Sequence, residues 1–169
     1  MEETANRIDK ALLEQIHLFR SVDIESIRGI FDYCSVITLQ PAEVLIAPGQ
    51  FNRTVYFILT GSVRIHLDSL DTEPISFLGP GASVGEISVI DLQPTSAFVV
   101  ANEESTLLCM DEDSLWSLVR SSHAIACNLL YYLTKLLRKT DAVISGGISI
   151  DREKCYGHMD ALTGLPNRE

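Results

Sequence analysis

The stretch VYFILTGSVRIHLD, residues 55–68, decides the fold class of this chain. Apolar residues at positions 63, 65 and 67 alternate with polar residues at positions 64, 66 and 68, a pattern typical of a half-buried strand. The apolar run at residues 55–59 predicts another strand just before it. Outward from this pair, glycines and prolines separate further short β-rich runs, which indicates an antiparallel sandwich or barrel.

Five further strands are predicted on either side of this pair, at SVITL (35–39), EVLI (43–46), ISFL (75–78), AFVVA (97–101) and STLLCM (105–110). Helical spacing of apolar residues flanks the β region, first over residues 8–34 and again from Asp111. The acidic run at residues 111–113 suits a helix N-terminus, where the helix dipole favours negative charge. We therefore expect a mainly β protein with flanking helices, divided into an N-terminal helical segment (1–34), a β-roll (35–110), C-terminal helices (111–145) and a linker leading into another domain (146–169).

A long helix is predicted from about residue 122 to residue 144. Its apolar residues step alternately by three and four, which forms a short heptad seam of Ala126, Leu129, Leu133, Leu136, Thr140 and Val143. An adjoining stripe repeats every seven residues at Leu130, Leu137 and Ile144. We expect one stripe to face the barrel and the other to face a partner helix in a homodimer. A single helix buried against its own domain is the alternative.

Composition excludes several classes of function. The chain of 169 residues has a net charge of −10, with 18 acidic and 6 basic residues up to Val119 and 5 acidic and 7 basic residues after it. Nucleic-acid backbones require clustered cations, so we expect no nucleic-acid partner. The polar start and short apolar runs predict a cytoplasmic protein without a membrane span. The four cysteines form no C-x-x-C pair, and no metal-ligand or nucleophile motif is present, so we expect neither a cofactor nor an enzyme in this chain.

The stretch LGPGASVGEISVI, residues 78–90, contains the residues best suited to bind a ligand. A glycine-rich turn leads into a short apolar run, and free backbone N–H groups at such a point can hold an anion. Glu86 can accept hydrogen bonds from sugar hydroxyls. The same residues also fit a turn between strands with a capping carboxylate.

The wider pattern resembles the cyclic-nucleotide-binding domain family, the jelly-roll module of catabolite activator proteins and cyclic-nucleotide-dependent kinases. The matching elements are LIAPG (45–49), YFILTGSVR (56–64), LGPG (78–81), VGE (84–86) and PTSA (94–97). The resemblance implies an eight-stranded roll and a phosphate-binding cassette over residues 85–97, followed by a helix that relays the ligand state. It implies cyclic AMP or cyclic GMP as ligand, with Gly85, Glu86, Ile87, Thr95, Ser96 and Ala97 as the contacting residues. Cyclic di-GMP is a further candidate ligand.

Thr95 departs from the family's pattern, because the cassette carries an arginine after the proline that pairs with the cyclic phosphate. A hydroxyl does not replace a bidentate arginine–phosphate pair. A phosphate about 4 Å from the Glu86 carboxylate is repelled by about 4 kcal/mol at an effective dielectric constant near 20. We therefore expect weak binding of cyclic AMP unless another cation, such as Arg53 or Arg64, reaches the pocket.

The last residues carry a second resemblance. The sequence DALTGLPNR, residues 160–168, resembles the opening of GGDEF diguanylate cyclase domains. We therefore expect a regulatory sensor module of a bacterial diguanylate cyclase, which makes cyclic di-GMP from GTP, with the catalytic core following this chain. Two alternatives are a degenerate roll that acts as a dimerisation scaffold and a transcription regulator of the catabolite-activator type. No helix-turn-helix pattern follows the long helix, which disfavours the regulator.

Overall fold

The computed structural model describes residues 8–138, in which eight strands are flanked by helices. At the N-terminus, helix α1 (Lys10–Glu14) is followed by two 3₁₀ segments, His17–Phe19 and Ile24–Tyr33. The strands are β1 (Ser35–Leu39), β2 (Val44–Ile46), β3 (Thr54–Thr60), β4 (Val63–His66), β5 (Ser76–Leu78), β6 (Ser83–Val84), β7 (Phe98–Ala101) and β8 (Ser105–Asp111). Helix α2 (Glu86–Asp91) lies between β6 and β7, α3 (Glu112–Ser121) follows β8, and residues 123–138 are helical.

The strands form two antiparallel sheets of four strands each. One has the order β1-β8-β3-β6 and the other has the order β2-β7-β4-β5. Every connection between successive strands crosses between the sheets except the one between β4 and β5. The crossing from β3 to β4 is made at Gly61, where φ is +80°. A Cβ at Gly61 would collide with the carbonyl oxygen of Glu104 and the hydroxyl of Ser105, so the crossing requires glycine. The expected jelly-roll β-barrel with flanking helices is therefore confirmed.

The core between the sheets is built from alternate residues of the strands. Its fully buried members include Ile58, Val63 and Leu107, and Ile65 and Leu78 pack against them. Strands β3 and β8 are buried on both faces, because helices cover the outer face of their sheet. This burial explains their nearly continuous apolar sequences.

Aromatic rings join the N-terminal segments to the β1-β8-β3-β6 sheet. The ring of Phe19 lies 5.6 Å from that of Phe31 and 5.5 Å from that of Phe57, measured between centroids. The side-chain amide of Asn128 donates hydrogen bonds to the carbonyls of Leu18 at 2.9 Å and Arg20 at 2.7 Å. These contacts fix the start of the C-terminal helical residues against the N-terminal segments.

Local capping sets the helix starts. Asp111 accepts a hydrogen bond from the Ser114 amide at 2.8 Å, which satisfies one of the unpaired N–H groups at the start of α3. Asp23 does the same for Ile24–Tyr33 through the Glu25 amide at 3.2 Å. This second segment is a 3₁₀ helix rather than an α-helix, a difference that apolar spacing does not reveal because residues three apart share a face in both.

The chain divides into two compact units, Met1–Leu129 and Leu130–Glu169. Within residues 8–138, no helix combines the length and the apolar character needed to cross a bilayer. The predicted seam residues Thr140 and Val143, the stripe residue Ile144 and the motif at residues 160–168 lie outside the described residues.

Candidate ligand-binding cassette

The first part of the predicted cassette lies at the turn from β6 into α2. Gly85 adopts φ +86°, the left-handed region that side chains disfavour. A Cβ at this position would lie 2.6 Å from the carbonyl oxygen of Thr54 and 2.8 Å from Nδ2 of Asn52. The close approach of β3 therefore requires glycine at position 85.

Asn52 holds this turn in place, and sequence reasoning missed it. Its Nδ2 lies 2.8 Å from the Thr54 carbonyl oxygen, 3.2 Å from the Gly85 carbonyl oxygen and 3.2 Å from the Ser88 hydroxyl. Its Oδ1 accepts a hydrogen bond from the Thr54 amide at 3.2 Å. The available signal was an asparagine two residues before a strand, where its side chain can bond the backbone two residues on.

The first turn of α2 contains two candidate ligand contacts, Glu86 and Ile87, which differ in exposure. The Glu86 side chain is buried, with 6% of the residue exposed, whereas half of Ile87 is exposed. A carboxylate can accept hydrogen bonds from hydroxyl groups, and the sugar contact of Glu86 stays a prediction.

Thr95 is bonded to the loop that follows β2. Its hydroxyl donates to the Ala47 carbonyl at 2.6 Å and lies 3.1 Å from the Gln50 carbonyl. The same oxygen accepts a hydrogen bond from the Gln50 amide at 3.3 Å. Backbone bonds add to this contact, since the Gly49 amide donates to the Thr95 carbonyl at 2.7 Å and the Thr95 amide donates to the Gln50 carbonyl at 2.9 Å. The hydroxyl is therefore committed to the protein's own backbone.

Both ends of the cassette are thus attached to one connector, residues 47–54. Its first half bonds Thr95, and its second half bonds Gly85 through Asn52. Beyond Thr95, Ser96 is exposed and Ala97 is half-buried. The structure brings the two groups of predicted site residues onto the same connector, although no hydrogen bond described within residues 8–138 joins them directly.

The two arginines considered as substitute cations are placed elsewhere. Arg53 donates from Nε to Glu112 at 2.8 Å, and its side chain is 75% exposed. This bond and the charge of Glu112 raise the pKa of the Arg53 guanidinium above its ordinary value. Arg64 pairs across the sheet with Phe77 and Val100, on the face opposite the core residue Val63. In the described part of the chain, neither arginine bonds to residues 85–97.

Three of the four thiols, those of Cys34, Cys109 and Cys127, lie within the described residues. Burial raises the pKa of the Cys34 thiol to about 12, and the charges of Asp111 and Cys109 act in the same direction. Burial also raises the pKa values of Cys109 and Tyr56. Cys34, Cys109 and Cys127 are unbridged. Across residues 8–138, no three His, Cys, Asp or Glu side chains are grouped as metal ligands.

A β-roll with a glycine-started helix between β6 and β7 defines a regulatory ligand-binding module. Residues 36–122 match the family model described as the cyclic nucleotide-binding domain. Because this match spans just over half of the chain, the chain belongs to the cyclic nucleotide-binding domain family.

Similar proteins agree with this assignment. The chain is 32% identical to the cyclic AMP receptor protein of Thermus thermophilus over 95 residues, which are 55% of this chain and 44% of the receptor. The crystal structure of the Thermus thermophilus catabolite activator protein has a TM-score of 0.68 at 26% identity, covering 76% of this chain and 62% of that one. A cyclic nucleotide-binding domain from Methylobacillus flagellatus has a TM-score of 0.63 at 25% identity, covering 83% of this chain and 80% of that one. The chain spans about half the length of the curated relatives it matches.

Proposed function

We propose that this chain is the regulatory module of a diguanylate cyclase and that it pairs with a second copy through its C-terminal helix. We further propose that its cassette lacks the arginine that would bind a cyclic phosphate tightly. The observation that carries the ligand part of the proposal is the placement of Thr95. At the position where the resembled family carries its phosphate-binding arginine, this chain has a hydroxyl bonded to Ala47. We therefore propose that the module acts through dimerisation rather than through tight binding of a cyclic mononucleotide.

Charge supports the ligand part of the proposal. Glu86 is buried in the cassette, and the two arginines considered as substitute cations, Arg53 and Arg64, form no bond to residues 85–97 within the described part of the chain. A charge-assisted bond to phosphate is about twice as strong as a neutral one, and like charges in a half-buried site repel by several kcal/mol. The cyclic phosphate therefore meets repulsion from Glu86 that neither Arg53 nor Arg64 offsets.

A second candidate, a cyclic-nucleotide sensor with unusual contacts, is favoured by the intact first half of the cassette. Gly85 keeps the left-handed turn, and Glu86 keeps its buried place at the start of α2. A ligand that makes most of its bonds through hydroxyl groups fits this half without an arginine. Cyclic di-GMP, the product of the proposed enzyme, offers such hydroxyls but carries two phosphates.

Exposure supports the dimerisation part of the proposal. Leu130 is 64% exposed and Leu137 is 66% exposed, seven residues apart on one face of a helix. Of the predicted seam, Leu129 is buried, and Ala126, Leu133 and Leu136 are intermediate. We therefore assign the partner contact to the Leu130 and Leu137 stripe, since association removes its apolar surface from water.

The output part of the proposal comes from residues 160–168, whose sequence resembles the opening of a GGDEF domain. In that family two catalytic domains, each carrying one GTP, must meet to make cyclic di-GMP. A helix pair leading into two such domains sets their distance and rotation. A change in helix register is then the natural signal.

Calorimetry tests the ligand part. Cyclic AMP, cyclic GMP and cyclic di-GMP are titrated separately into the chain and into Thr95→Arg, with Gln93→Arg as a control that adds the same charge to an exposed position of the same loop. We expect Thr95→Arg to bind cyclic AMP at least about tenfold more tightly than the chain and the control. Micromolar binding of cyclic AMP to the unchanged chain would contradict the proposal and support the sensor.

Sedimentation equilibrium tests the dimerisation part. The double variant Leu130→Asp, Leu137→Asp is expected to be monomeric where the chain is dimeric. The control is Leu92→Asp, which is 63% exposed and has φ +57°, a conformation that aspartate tolerates. In the longer protein that includes the following domain, the double variant is expected to lower the rate of cyclic di-GMP formation. An unchanged rate in a monomer would refute control by pairing.

A further inference from the structure

A histidine and a cysteine lie next to each other among the helical residues 123–138. His123 and Cys127 are four residues apart, a spacing that places side chains on adjacent turns of one helix face. The Nε2 atom of His123 lies 3.4 Å from the Sγ atom of Cys127. Both residues are exposed, so the pair is accessible from solvent and to another molecule.

The separation of these two atoms fits a shared metal ion. Zinc binds a thiolate sulfur at about 2.3 Å and an imidazole nitrogen at about 2.0–2.1 Å, in tetrahedral geometry. With these bond lengths and a tetrahedral angle at the ion, the nitrogen and the sulfur are about 3.6 Å apart. The observed 3.4 Å differs from that separation by about 0.2 Å. One ion can therefore bind both atoms with little movement of either side chain.

The chemistry of the two groups selects the class of ion. Thiolate and imidazole are ligands of zinc and of similar transition-metal ions, whereas magnesium and calcium require oxygen ligands. The thiol releases its proton to solvent when it binds the ion, and the histidine binds as a neutral imidazole. Two ligands satisfy only half of a tetrahedral ion. In the described part of the chain, no third His, Cys, Asp or Glu side chain is grouped with this pair, so the remaining ligands must come from outside it.

A second copy of the chain can supply the missing ligands. Exposed residues recur at positions 123, 127, 130, 134 and 137, in alternating steps of four and three residues. Such steps form the contact seam of paired helices, and in a parallel symmetric pair each seam residue meets the same residue of the other helix. Leu130 and Leu137 carry the proposed partner contact, and His123 and Cys127 are the two preceding positions of the same series. Parallel pairing would therefore bring two histidines and two cysteines together.

The charge of the ion matches this set of four ligands. Two thiolates and two neutral imidazoles around a divalent ion form a neutral complex, which two helices can enclose without an unpaired charge. The chain up to Val119 has 18 acidic and 6 basic residues, so its electrostatic field attracts a cation. The sequence shows no complete metal-ligand motif, because half of the ligands belong to the second copy.

We propose that His123 and Cys127 form half of a zinc site and that the same two residues of a second copy complete it. The inference rests on the pairing in the proposed function and adds that one zinc ion is held between two chains. Because the four ligands lie in adjacent layers of the seam, the ion fixes the parallel orientation and the register of the two helices. Zinc binds only the paired form at full strength, so it also tightens pairing.

The test uses the whole chain in oxygen-free buffer without added thiols. Zinc is titrated by calorimetry and cobalt(II) by absorbance, with magnesium as an ion that prefers oxygen ligands. Cys127→Ser and His123→Asn each remove one type of ligand at an exposed position. The matched controls are Cys155→Ser and His158→Asn, which remove the same types of group from another part of the sequence. Sedimentation equilibrium with zinc and with EDTA measures pairing, and thermal melting shows whether each variant folds.

We expect one zinc ion per two chains, with saturation below about 1 µM zinc and no binding of magnesium. The cobalt(II) complex is expected to show the charge-transfer absorbance of thiolate ligands. Cys127→Ser should weaken zinc binding at least about a hundredfold and His123→Asn at least about tenfold, while both controls bind like the unchanged chain. Zinc should tighten pairing at least about tenfold relative to EDTA. If one ligand variant fails to fold, the other decides the outcome.

Three results would overturn the proposal. They are saturation at one ion per chain, no saturation by about 100 µM zinc, and zinc binding that the ligand variants weaken no more than the controls do. Sedimentation separates such a failure from a failure of the proposed function. A chain that pairs in EDTA but binds no zinc refutes the zinc site and leaves the proposed pairing intact. A chain that is monomeric both in EDTA and in zinc refutes the pairing, and the shared site with it.

Discussion

Replacing Thr95 by valine separates an anchoring role for its hydroxyl from a ligand-binding role. Valine keeps the β-branched shape but removes the hydroxyl, and hence the bond donated to Ala47 at 2.6 Å and the bond accepted from Gln50 at 3.3 Å. The backbone bonds between Thr95 and residues 49–50 do not depend on the side chain and remain. The substitution therefore isolates the hydroxyl.

The expected loss follows from the geometry of these two bonds. A net hydrogen bond contributes about 1 kcal/mol, and the longer bond contributes less because it is near the limit of useful length. Thr95 is half-buried, so water can reach part of the vacated position. We expect Thr95→Val to lower the free energy of unfolding by about 1–2 kcal/mol. At a urea m-value of about 2 kcal/mol/M, the midpoint falls by about 0.5–1 M.

Urea unfolding followed by tryptophan fluorescence and circular dichroism measures this change. Thr60→Val is the matched control, because Thr60 is an exposed strand residue whose hydroxyl has no bond in the described structure. That control is expected to stay within about 0.5 kcal/mol of the unchanged chain. A Thr95→Val midpoint equal to that of Thr60→Val would refute the anchoring role. A stable Thr95→Val protein with weakened nucleotide binding would place the hydroxyl in the ligand site instead.

Three further predictions concern the same framework. Asn52→Ala removes the amide that joins Thr54, Gly85 and Ser88, and is expected to destabilise the domain by about 2–3 kcal/mol in urea unfolding, with Asn52→Asp recovering only the accepted bond. Gly85→Ala forces a side chain into φ +86° and against Thr54, and is expected to cost about 1–3 kcal/mol, whereas Gly79→Ala, which would meet no atom within 4 Å, serves as a neutral control. The pKa of the Cys34 thiol is about 12 in the folded protein, whereas its ordinary value, which applies to the unfolded chain, is 9.0. The contribution of this raised pKa to the free energy of unfolding is therefore complete below about pH 9 and is lost as the pH rises towards 12. Between about pH 8 and about pH 10, the free energy of unfolding measured in urea should therefore fall less in Cys34→Ala than in the unchanged chain. An equal fall in both proteins would contradict the raised pKa of Cys34.

Most of the strands could be predicted from sequence because their apolar pattern is local. Strand β6 was missed, since Ser83–Val84 is only two residues long and lies within a glycine-rich stretch that is typical of a turn. Its pairing with Tyr56 and Phe57 depends on a strand about 27 residues earlier, which no local pattern shows.

The outer face of β4 shows another limit of sequence reasoning. The alternation over residues 63–68 correctly predicts that Arg64 and His66 share a face, but it also suggests that this face is solvated. The loop over residues 70–74 folds back onto the sheet and buries His66. Loop conformation depends on tertiary contacts such as that between His66 and Thr72, so the pattern of β4 carries no information about it.

The candidate site was predicted in position but not in its internal bonding. Gly85 and Thr95 were identified from the resembled motif, and the missing arginine followed directly from the sequence. That the Thr95 hydroxyl bonds the loop after β2 could not be inferred, because Ala47 and Thr95 are 48 residues apart.

The double attachment of the cassette to residues 47–54 has a consequence for conformational entropy. A segment ordered only when a ligand arrives loses freedom on binding, and that loss can be transmitted to a distant site. Here Asn52 and Thr95 bond the two ends of the cassette to the connector through the protein's own groups. Little disorder is left for a ligand to remove, so a signal from this cassette must travel as a rigid displacement of the connector. Because that connector leads from β2 in one sheet to β3 in the other, the displacement would shift one sheet relative to the other.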